Sequence, residues 1–411
     1  MPNLITLDLF CGTGGFSKGF ENHGAYSVAF GIDSLPVAAA TFRLNHPRAL
    51  ALHADIRAVS PSDVGSQLGF ERGQVDIIVG GPPCQGFSSI RPNRSSGDED
   101  QRNGLFEDFA NYVAWFHPKA FVLENVVGLL THRHGRTLEQ IQTTFQRHGY
   151  ETDWHVVNAA HFGVPQKRER FIMIGCERGL SPIFPETSHD CDVPTIGYRD
   201  RTRMLMPRHR DLFNQDLPEL PPAVTVADAI DDLPKVAAGK SVNSYTFPAK
   251  TPYQHERRAN SDTLTLHIST SHTPRMLEII RHSGPNISHI PEHLITSGFS
   301  SCYSRLSADE PSTTITVNFV HPASNRCIHP TQDRALTLRE GARLQSFDDD
   351  YQFAGTRTQI AKQIGNAVPP LLGRAIAAAL AETLGAERES AGKCQQLPTA
   401  SPRIARSISA L

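Results

Sequence analysis

The sequence predicts an α/β protein whose sheet is mostly parallel and carries helices on both faces. Over residues 1–176, short apolar runs alternate with segments of helical periodicity, which is the rhythm of βαβ units. A glycine-rich turn follows the first apolar run and acidic residues follow several others, at the strand ends where open α/β sheets bind ligands. From about residue 180 prolines cluster and the periodicity weakens, so we expect a second, smaller and irregular domain.

Each predicted strand and helix corresponds to a segment of the sequence. The strand candidates of the first domain are the apolar runs 4–10, 27–33, 75–80, 120–125, 153–159 and 171–176. Helical periodicity is present at 16–23, 36–45, 104–116 and 136–148, and it returns at 338–347 and 370–384. The last residues, 386–411, are polar and rich in Ser, Pro and Arg, so we predict a disordered tail there.

The composition is typical of a globular protein without a membrane span. Hydrophobic residues make up 39% of the chain and charged residues 20%. No apolar run approaches the roughly 18–20 residues of a membrane span. The first strand candidate begins at Leu4, so we expect no signal peptide. The cysteines include no Cys-x-x-Cys pair, which favours a reducing, cytosolic compartment and no bound metal.

The net charge of −2 does not by itself indicate a polyanionic partner. A protein of this charge that binds nucleic acid must concentrate positive charge locally. Residues 199–210 are arginine-rich and could be such a site. A solvated loop is the alternative interpretation of this stretch.

The glycine-rich turn, residues 8–17 (Asp-Leu-Phe-Cys-Gly-Thr-Gly-Gly-Phe-Ser), predicts a nucleotide-type site. Glycines let the backbone approach a ligand closely, and the helix start offers free N–H donors. The dinucleotide pattern Gly-x-Gly-x-x-Gly is not completed, because residue 17 is Ser. Asp33 ends the second strand where an acid commonly binds ribose hydroxyls, and Asp55 follows a further strand end. An adenosine-bearing ligand without a pyrophosphate therefore fits better than NAD.

Cys84 is a candidate nucleophile. It lies in the stretch 80–88 (Gly-Gly-Pro-Pro-Cys-Gln-Gly-Phe-Ser), directly after the apolar run 75–79. This position places the thiol on a loop at the carboxyl end of a buried strand, and the prolines and glycines favour one fixed loop shape. A cysteine presented in this way is typical of covalent catalysis. A packing role is the alternative, since free cysteine is often part of a core.

Glu124 ends another apolar run, 121–123, and is a candidate proton donor. A carboxyl group in a desolvated pocket has a raised pKa and can carry a proton. Capping of the following segment is the alternative, and it suits Asn125 better. The stretch 166–170 (Gln-Lys-Arg-Glu-Arg) precedes the last strand candidate, and its arginines could bind a base carbonyl or phosphates. A solvated charged turn is the alternative for these residues.

In their order along the chain, these motifs resemble those of bacterial DNA (cytosine-5)-methyltransferases of the restriction–modification type. Three later blocks extend the resemblance: 305–316, 339–347 (Arg-Glu-Gly-Ala-Arg-Leu-Gln-Ser-Phe) and 363–370 (Gln-Ile-Gly-Asn-Ala-Val-Pro-Pro). Together the blocks cover residues 4 to about 384. The resemblance implies the Rossmann-like fold of S-adenosylmethionine-dependent methyltransferases. Asp33 stands where many members have Glu, and either acid can bind ribose hydroxyls.

The resemblance implies a role for each catalytic residue. Cys84 would add to C6 of a cytosine and so make C5 nucleophilic. Glu124 would contact N3 and the 4-amino group and supply a proton, Arg170 would hold O2, and Arg168 would support the catalytic loop. The methyl group would come from S-adenosyl-L-methionine, leaving S-adenosyl-L-homocysteine, and no metal is required. The base must leave the duplex, at a cost of a few kcal/mol, and the loop 86–104 would close over it.

The resemblance also implies the cofactor site and the domains. The positions that match the cofactor site are Phe10, Gly12, Gly14, Asp33, Asp55, Ile56, Pro83, Leu105, Asn366 and Ala367. Residues 1–180, completed by 326–385, would form the catalytic domain. Residues 181–325 would form the target-recognition domain, in which 199–210 would contact phosphates or bases. Residues 313–316 would pack and orient this domain rather than contact the cofactor.

The expected partner is double-stranded DNA with a short, palindromic site. We also expect a cognate restriction endonuclease that forms no stable complex with the protein, a monomer, and a bacterial cytoplasmic location on the nucleoid. Two alternatives are a tRNA cytosine-5 methyltransferase of the same family and a catalytically silent DNA-binding paralogue. The insert at 180–325 and the stretch 83–88 favour the DNA enzyme over the first. The presence of Cys84, Glu124 and Arg170 argues against the second.

Overall fold

The computed structural model describes residues 3–83, 104–191, 201–208, 219–295 and 298–385. Three predicted features therefore lie wholly or almost wholly outside the described residues: Cys84, the loop 86–104 apart from Gly104, and the tail 386–411. Of the stretch 199–210, residues 201–208 are described and the two residues at each end are not.

A seven-stranded sheet is the centre of the N-terminal half. Its strands are β1 (Leu4–Leu9), β2 (Tyr26–Asp33), β3 (Leu50–His53), β4 (Ile77–Gly80), β5 (Ala120–Asn125), β6 (Tyr150–Asn158) and β8 (Glu169–Glu177). Their spatial order is β3-β2-β1-β4-β5-β8-β6. The first five strands pair in parallel, and β8 runs antiparallel to both of its neighbours. The prediction of an α/β fold with a mostly parallel sheet is confirmed.

Helices cover both faces of this sheet. The helices of the N-terminal half are α1 (Gly15–His23), α2 (Pro36–Asn45), α3 (Pro61–Leu68), α4 (Leu105–Phe116) and α5 (Arg136–Arg147). One face packs Ile78 and Phe121 against Phe109 of α4 and Phe145 of α5. Buried strands of a parallel sheet read as continuous apolar runs because both of their faces are covered in this way.

The other face of the sheet is covered by α1 and by a helix from the far end of the chain, α11 (Pro370–Thr383). These two helices approach closely, since a Cβ at Gly19 would lie 2.4 Å from the carbonyl oxygen of Pro370. Among the described residues, Arg357–Thr383 is the one stretch long and apolar enough by composition to cross a membrane. It contains two helices, α10 (Arg357–Asn366) and α11, and 67% of its most apolar window is buried inside the molecule.

Outside the seven-stranded sheet and the helices that cover it, the chain forms short helices and two two-residue strands. They are β7 (Gln166–Lys167), α6 (Val226–Ile230), α7 (Pro252–Arg258), α8 (Pro274–Arg281), β9 (Ser312–Thr313), α9 (Leu338–Leu344) and α10. β7 and β9 pair in parallel as a separate two-stranded sheet. A second hydrophobic cluster joins buried residues between 226 and 319 to buried residues between 327 and 367. The irregular segment therefore shares a core with α9 and α10.

The segments that form this second cluster also contain a group of buried charges. The Arg343 guanidinium binds Asp232 (2.6 Å) and Asp349 (2.7 Å), and all three side chains are fully buried. Arg334 binds Glu340 at 2.6 Å, also with both side chains buried. Burial alone would raise the pKa of Asp349, but the hydrogen bonds from Arg343 hold it below the usual value. We call Arg343, Asp232 and Asp349 the buried arginine cluster.

Candidate active site

The predicted nucleophile loop leaves the sheet beside the strand that carries Glu124. Gly80, the last residue of β4, pairs with Leu123 of β5. The Asn125 side chain donates a hydrogen bond from Nδ2 to the Pro82 carbonyl at 3.1 Å. Asn125 thus fixes the start of the loop in addition to binding the next backbone N–H. Cys84 itself follows two residues after Pro82 and is not described.

Glu124 and Arg170 meet at this edge of the sheet. Nε of Arg170 lies 2.8 Å from Oε1 of Glu124, and each side chain is 14% exposed. They meet because β8 is antiparallel, so its first residues lie beside the last residues of β5. Burial lowers the pKa of Arg170, and the Glu124 carboxylate opposes that shift. The predicted pair is therefore together, half enclosed and still accessible.

Gly81 lies directly against the Glu124 carboxylate. A Cβ at this position would come within 2.9 Å of Oε2 of Glu124. A residue with a side chain would displace the carboxylate or the loop, so the close approach requires glycine. Glycine at position 81 thus has a steric explanation that the sequence pattern alone does not show.

Arg168 is buried, so the alternative of a solvated charged turn does not apply to this residue. Its guanidinium donates to the carbonyl oxygens of Ile315 (3.3 Å) and Gly365 (3.1 Å), and the side chain is 1% exposed. Burial lowers the pKa of this group. Arg168 therefore connects the catalytic strand end to two distant segments.

Two buried glutamines that the motif analysis assigned no role extend this connection. Gln166 donates to Oε1 of Gln345 (2.9 Å) and accepts from the backbone N–H of Ile315 (2.8 Å). Gln345 in turn donates to the Ile364 carbonyl at 2.7 Å. Both amides are fully buried. Only their position inside two recognised motifs could have drawn attention to them.

The glycine-rich turn adopts a backbone that needs its glycines. Gly12 and Gly14 have φ values of 53° and 84°, in the left-handed region that favours glycine. Phe10 also has a positive φ, 60°, and strain of this kind in a non-glycine residue is common at functional sites. The Asp33 carboxylate accepts the Gly12 N–H at 3.0 Å and the Leu35 N–H at 2.8 Å. Burial raises the pKa of Asp33.

The remaining predicted cofactor residues differ in burial and in their contacts. Asp55 is 42% exposed and accepts from Arg57, with its closest guanidinium contact at 2.6 Å. Ile56 and Leu105 are buried in one apolar cluster. Pro83 and Asn366 are exposed, and Ala367 is buried. The chain after Ala367 reaches the turn, since a Cβ at Gly15 would lie 2.6 Å from the Val368 carbonyl oxygen.

Arg203, in the described part of the arginine-rich stretch, contacts the sheet rather than projecting freely. It binds Asp153 at 2.6 Å and lies over the Trp154 ring at 4.8 Å. Residues 313–316 pack against the catalytic segment: Ser312 N–H donates to the Pro165 carbonyl and Thr314 to that of Lys167. Within the described ranges, no group of three or more His, Cys, Asp or Glu side chains could hold a metal ion.

Comparison with known proteins identifies the family. The family model for C-5 cytosine-specific DNA methylases matches residues 4–382. The type II methyltransferase M.AgeI of Thalassovita gelatinovora is 34% identical, over 91% of this chain and 98% of that protein. The type II methyltransferase M1.HphI of Haemophilus parahaemolyticus is 35% identical, over 92% of this chain and 87% of that protein.

Solved structures support the same fold. A prophage-encoded protein of E. coli, described as a DNA modification methyltransferase, superimposes with a TM-score of 0.70 at 24% identity, over 93% of this chain and all of that one. The S. pombe Dnmt2 methyltransferase has a TM-score of 0.57 at 16% identity, over 93% and 99% of the two chains. The resemblance seen in the motifs is confirmed: the chain belongs to the family of C-5 cytosine-specific DNA methylases, which methylate C5 of cytosine in DNA.

Proposed function

We propose that this protein methylates one cytosine within a short duplex DNA site, through a covalent bond between Cys84 and C6 of a flipped-out base. The observation that carries the proposal is the Glu124–Arg170 pair, held at 2.8 Å beside the root of the Cys84 loop. An acid, a cation and a nucleophile loop at one sheet edge are what addition of a thiol to a pyrimidine needs.

The residues around the glycine turn fit S-adenosylmethionine. A Cβ at Gly12 would meet nothing within 4 Å, so the turn has open space on that side. Asp33 offers a carboxylate suited to ribose hydroxyls, and Asp55 offers one suited to an amino group. We propose that these residues hold the cofactor together with the other predicted positions, Phe10, Gly14, Ile56, Pro83, Leu105, Asn366 and Ala367. The bound cofactor supplies an electrophilic methyl group.

Each catalytic residue then has one task. Cys84 attacks C6 as the thiolate, which is the reactive form of cysteine. After C5 has taken the methyl group, a base removes the C5 proton, the C5–C6 double bond re-forms and Cys84 leaves C6 as the thiolate. Glu124 binds N3 and the 4-amino group and supplies the proton that accompanies addition. Arg170 has five N–H donors, so it can hold Glu124 and also donate to O2 of the base. Arg168 fixes the strand end that carries this pair through its bonds to Ile315 and Gly365.

We propose that residues 181–325 recognise the DNA sequence and that residues 1–180 and 326–385 form the catalytic domain. The contacts of Ser312 and Thr314 with the segment 165–167 support an orienting role for 313–316. The type II relatives support a role in protecting host DNA from a cognate endonuclease. We further propose a cytoplasmic monomer, because cofactor site and recognition segment lie in one chain.

The test is expression in a bacterial host that lacks DNA methylation, followed by bisulfite sequencing of the plasmid at single-base resolution. The wild type should protect cytosines in one short motif, and Cys84→Ala should protect none. Cys191→Ala is the matched control, because Cys191 is a buried cysteine far along the chain from the site. It should protect the same cytosines as the wild type.

A second measurement tests the covalent step. The wild type should be trapped on duplex DNA that carries 5-fluorocytosine in the motif, provided that S-adenosylmethionine is present. The proposal fails if a folded, cofactor-binding wild type protects no cytosine. Trapping by Cys84→Ala would contradict the role of that thiol.

A further inference from the structure

Two buried side chains from outside the glycine turn bind two consecutive carbonyl oxygens of that turn. The Tyr351 hydroxyl donates to the Thr13 carbonyl at 2.5 Å. Nε2 of His46 lies 3.1 Å from the Gly14 carbonyl oxygen. A carbonyl oxygen only accepts, so this His46 nitrogen carries the proton. Both side chains are buried, at 3% exposure for Tyr351 and 0% for His46. We call Tyr351 and His46 the loop clamp.

His46 is held in place from three sides. The Phe42 ring stacks on the imidazole with centroids 4.3 Å apart. Nδ1 lies 3.1 Å from Oε1 of Glu21. A Cβ at Gly14 would come within 2.5 Å of Nε2, so glycine at this position admits the imidazole as well as the positive φ. The imidazole therefore has one orientation, aimed at the turn.

Tyr351 is positioned by the same helix that precedes His46. Asn45 donates to the Gln352 carbonyl at 2.8 Å and accepts the Gln352 N–H at 3.0 Å. The Ala354 N–H donates to the Thr41 hydroxyl at 2.9 Å. These three bonds fix the chain around Tyr351 on α2. Both members of the clamp are thus positioned by one helix, although they are far apart in sequence: Asn45 and Gln352, which bind each other, are 307 positions apart.

We propose that the loop clamp sets the affinity for S-adenosylmethionine by holding the turn in its binding conformation before the cofactor arrives. A turn with glycines at 12 and 14 has many accessible backbone conformations. Fixing the Thr13 and Gly14 carbonyls removes most of them, so less entropy is lost on binding. Tyr351 and His46 are positioning residues, since they act through the backbone of the turn. The inference rests on the proposed cofactor site.

The test is calorimetric binding of S-adenosylhomocysteine to the purified full-length protein. Tyr351→Phe removes one hydroxyl and keeps the ring, which packs on Phe347 and Phe353. Loss of one neutral hydrogen bond predicts about fivefold weaker binding. His46→Gln should weaken binding in the same direction. The KM for S-adenosylmethionine should rise with the Kd, by a larger factor than kcat changes.

Tyr26→Phe is the matched control. The Tyr26 hydroxyl also donates to a carbonyl oxygen, that of Ala377, at 2.7 Å, and its side chain is also 3% exposed. It links β2 to α11 without touching the turn. The control should lose stability as Tyr351→Phe does and should bind S-adenosylhomocysteine within twofold of the wild type.

Either of two results overturns the clamp. One is binding by Tyr351→Phe within twofold of the wild type, and the other is equal weakening by Tyr26→Phe. If Tyr351→Phe does not fold, Asn45→Ala, which releases the Gln352 bonds, must weaken binding, and unchanged binding by that variant overturns the clamp. A folded wild type that binds no S-adenosylhomocysteine refutes the cofactor assignment itself, which separates that failure from failure of the clamp.

Discussion

Two of the arginine–carboxylate arrangements in the described residues have similar bond lengths but lie in different environments. In the buried arginine cluster, Arg343 donates to Asp232, to Asp349 and to the Ala229 carbonyl, with no exposure of the charged groups. At the sheet edge, Arg170 binds Glu124 with both side chains 14% exposed. The first arrangement is closed on all sides, and the second opens on the loop that leads to Cys84.

This difference separates charges that hold the fold from charges that are available to a substrate. A buried carboxylate with every partner inside the protein has no capacity left for a ligand. A pair that is only partly buried keeps oxygens and N–H groups that a base can engage. Burial of the partners, rather than the presence of an ion pair, is therefore the useful criterion for finding the site.

The largest expected effect is on activity. Glu124→Gln keeps the shape of the side chain but removes the proton donor, so kcat should fall by about 10²–10⁴-fold. Because the pair is partly exposed, the free energy of unfolding should change by less than about 1 kcal/mol. Single-turnover methylation and urea unfolding measure the two quantities. If Glu124→Gln were strongly destabilised yet still active, the Glu124–Arg170 pair would be holding the fold rather than serving the reaction.

Arg343→Met should show the opposite pattern. It removes the cation that bridges two buried carboxylates and leaves Asp232 with Arg258 at 3.0 Å and Asp349 with the more distant Arg339 at 3.6 Å. The free energy of unfolding should therefore fall by about 3–5 kcal/mol. Methylation per folded molecule should be retained at low temperature. The measurement is urea unfolding followed by an active-site titration of the folded fraction. Wild-type stability in this variant would show that the cluster does not hold the fold.

Another buried carboxyl, that of Asp8, extends this comparison to the dependence of stability on pH. Burial raises its pKa from 3.8 to about 7, and the hydrogen bond from Ser17 opposes that shift only in part. The folded state thus binds more protons than the unfolded state between these values, so this contribution to stability is complete below pH 3.8 and is lost as the pH rises towards 7. In Asp8→Asn, the free energy of unfolding should decline less steeply over this pH range.

The measurement for Asp8 is urea unfolding of both proteins across this pH range. The difference between wild type and variant cancels the other titrating groups. A difference that does not vary with pH would show that Asp8 does not titrate there.

The smallest expected effect belongs to an exposed pair next to the site. Lys167 binds Glu310 at 2.9 Å, but the Glu310 side chain is 58% exposed. Lys167→Met should change the free energy of unfolding by less than about 1 kcal/mol, since solvent screens such pairs. A loss of several kcal/mol in thermal or urea unfolding would show that exposure is a poor guide to the role of a charge here.

Local patterns predicted much of the sheet and its helices. β2, α2 and α5 lie within a residue or so of the expected ranges, because each is a continuous apolar or amphipathic segment. β3 has four residues and a partly exposed pattern, and α10 has few apolar residues, so neither was assigned from periodicity. The direction of β8 also could not be predicted, since a strand's own pattern does not specify its neighbours.

The candidate site was likewise predictable only where a local pattern carries the information. Glu124 and Arg170 were found from strand ends and motif order, and the structure places them together. The burial of Arg168 depends on carbonyl groups 147 and 197 residues further along the chain. No local pattern encodes such partners, so its charged surroundings predicted a surface turn. The roles of Cys84 and of the cofactor residues stay predictions.

The packing of α11 on α1 also has a consequence for when the site can form during synthesis of the chain. The proposed nucleophile and proton donor are made early in synthesis, but α11, which packs against Gly19, is made much later. A chain still on the ribosome at residue 340 lacks Tyr351, the Gly365 carbonyl that binds Arg168, and one cover of the sheet. Translation through α11 is thus a checkpoint, and a chain that stops before it cannot assemble the machinery that marks DNA.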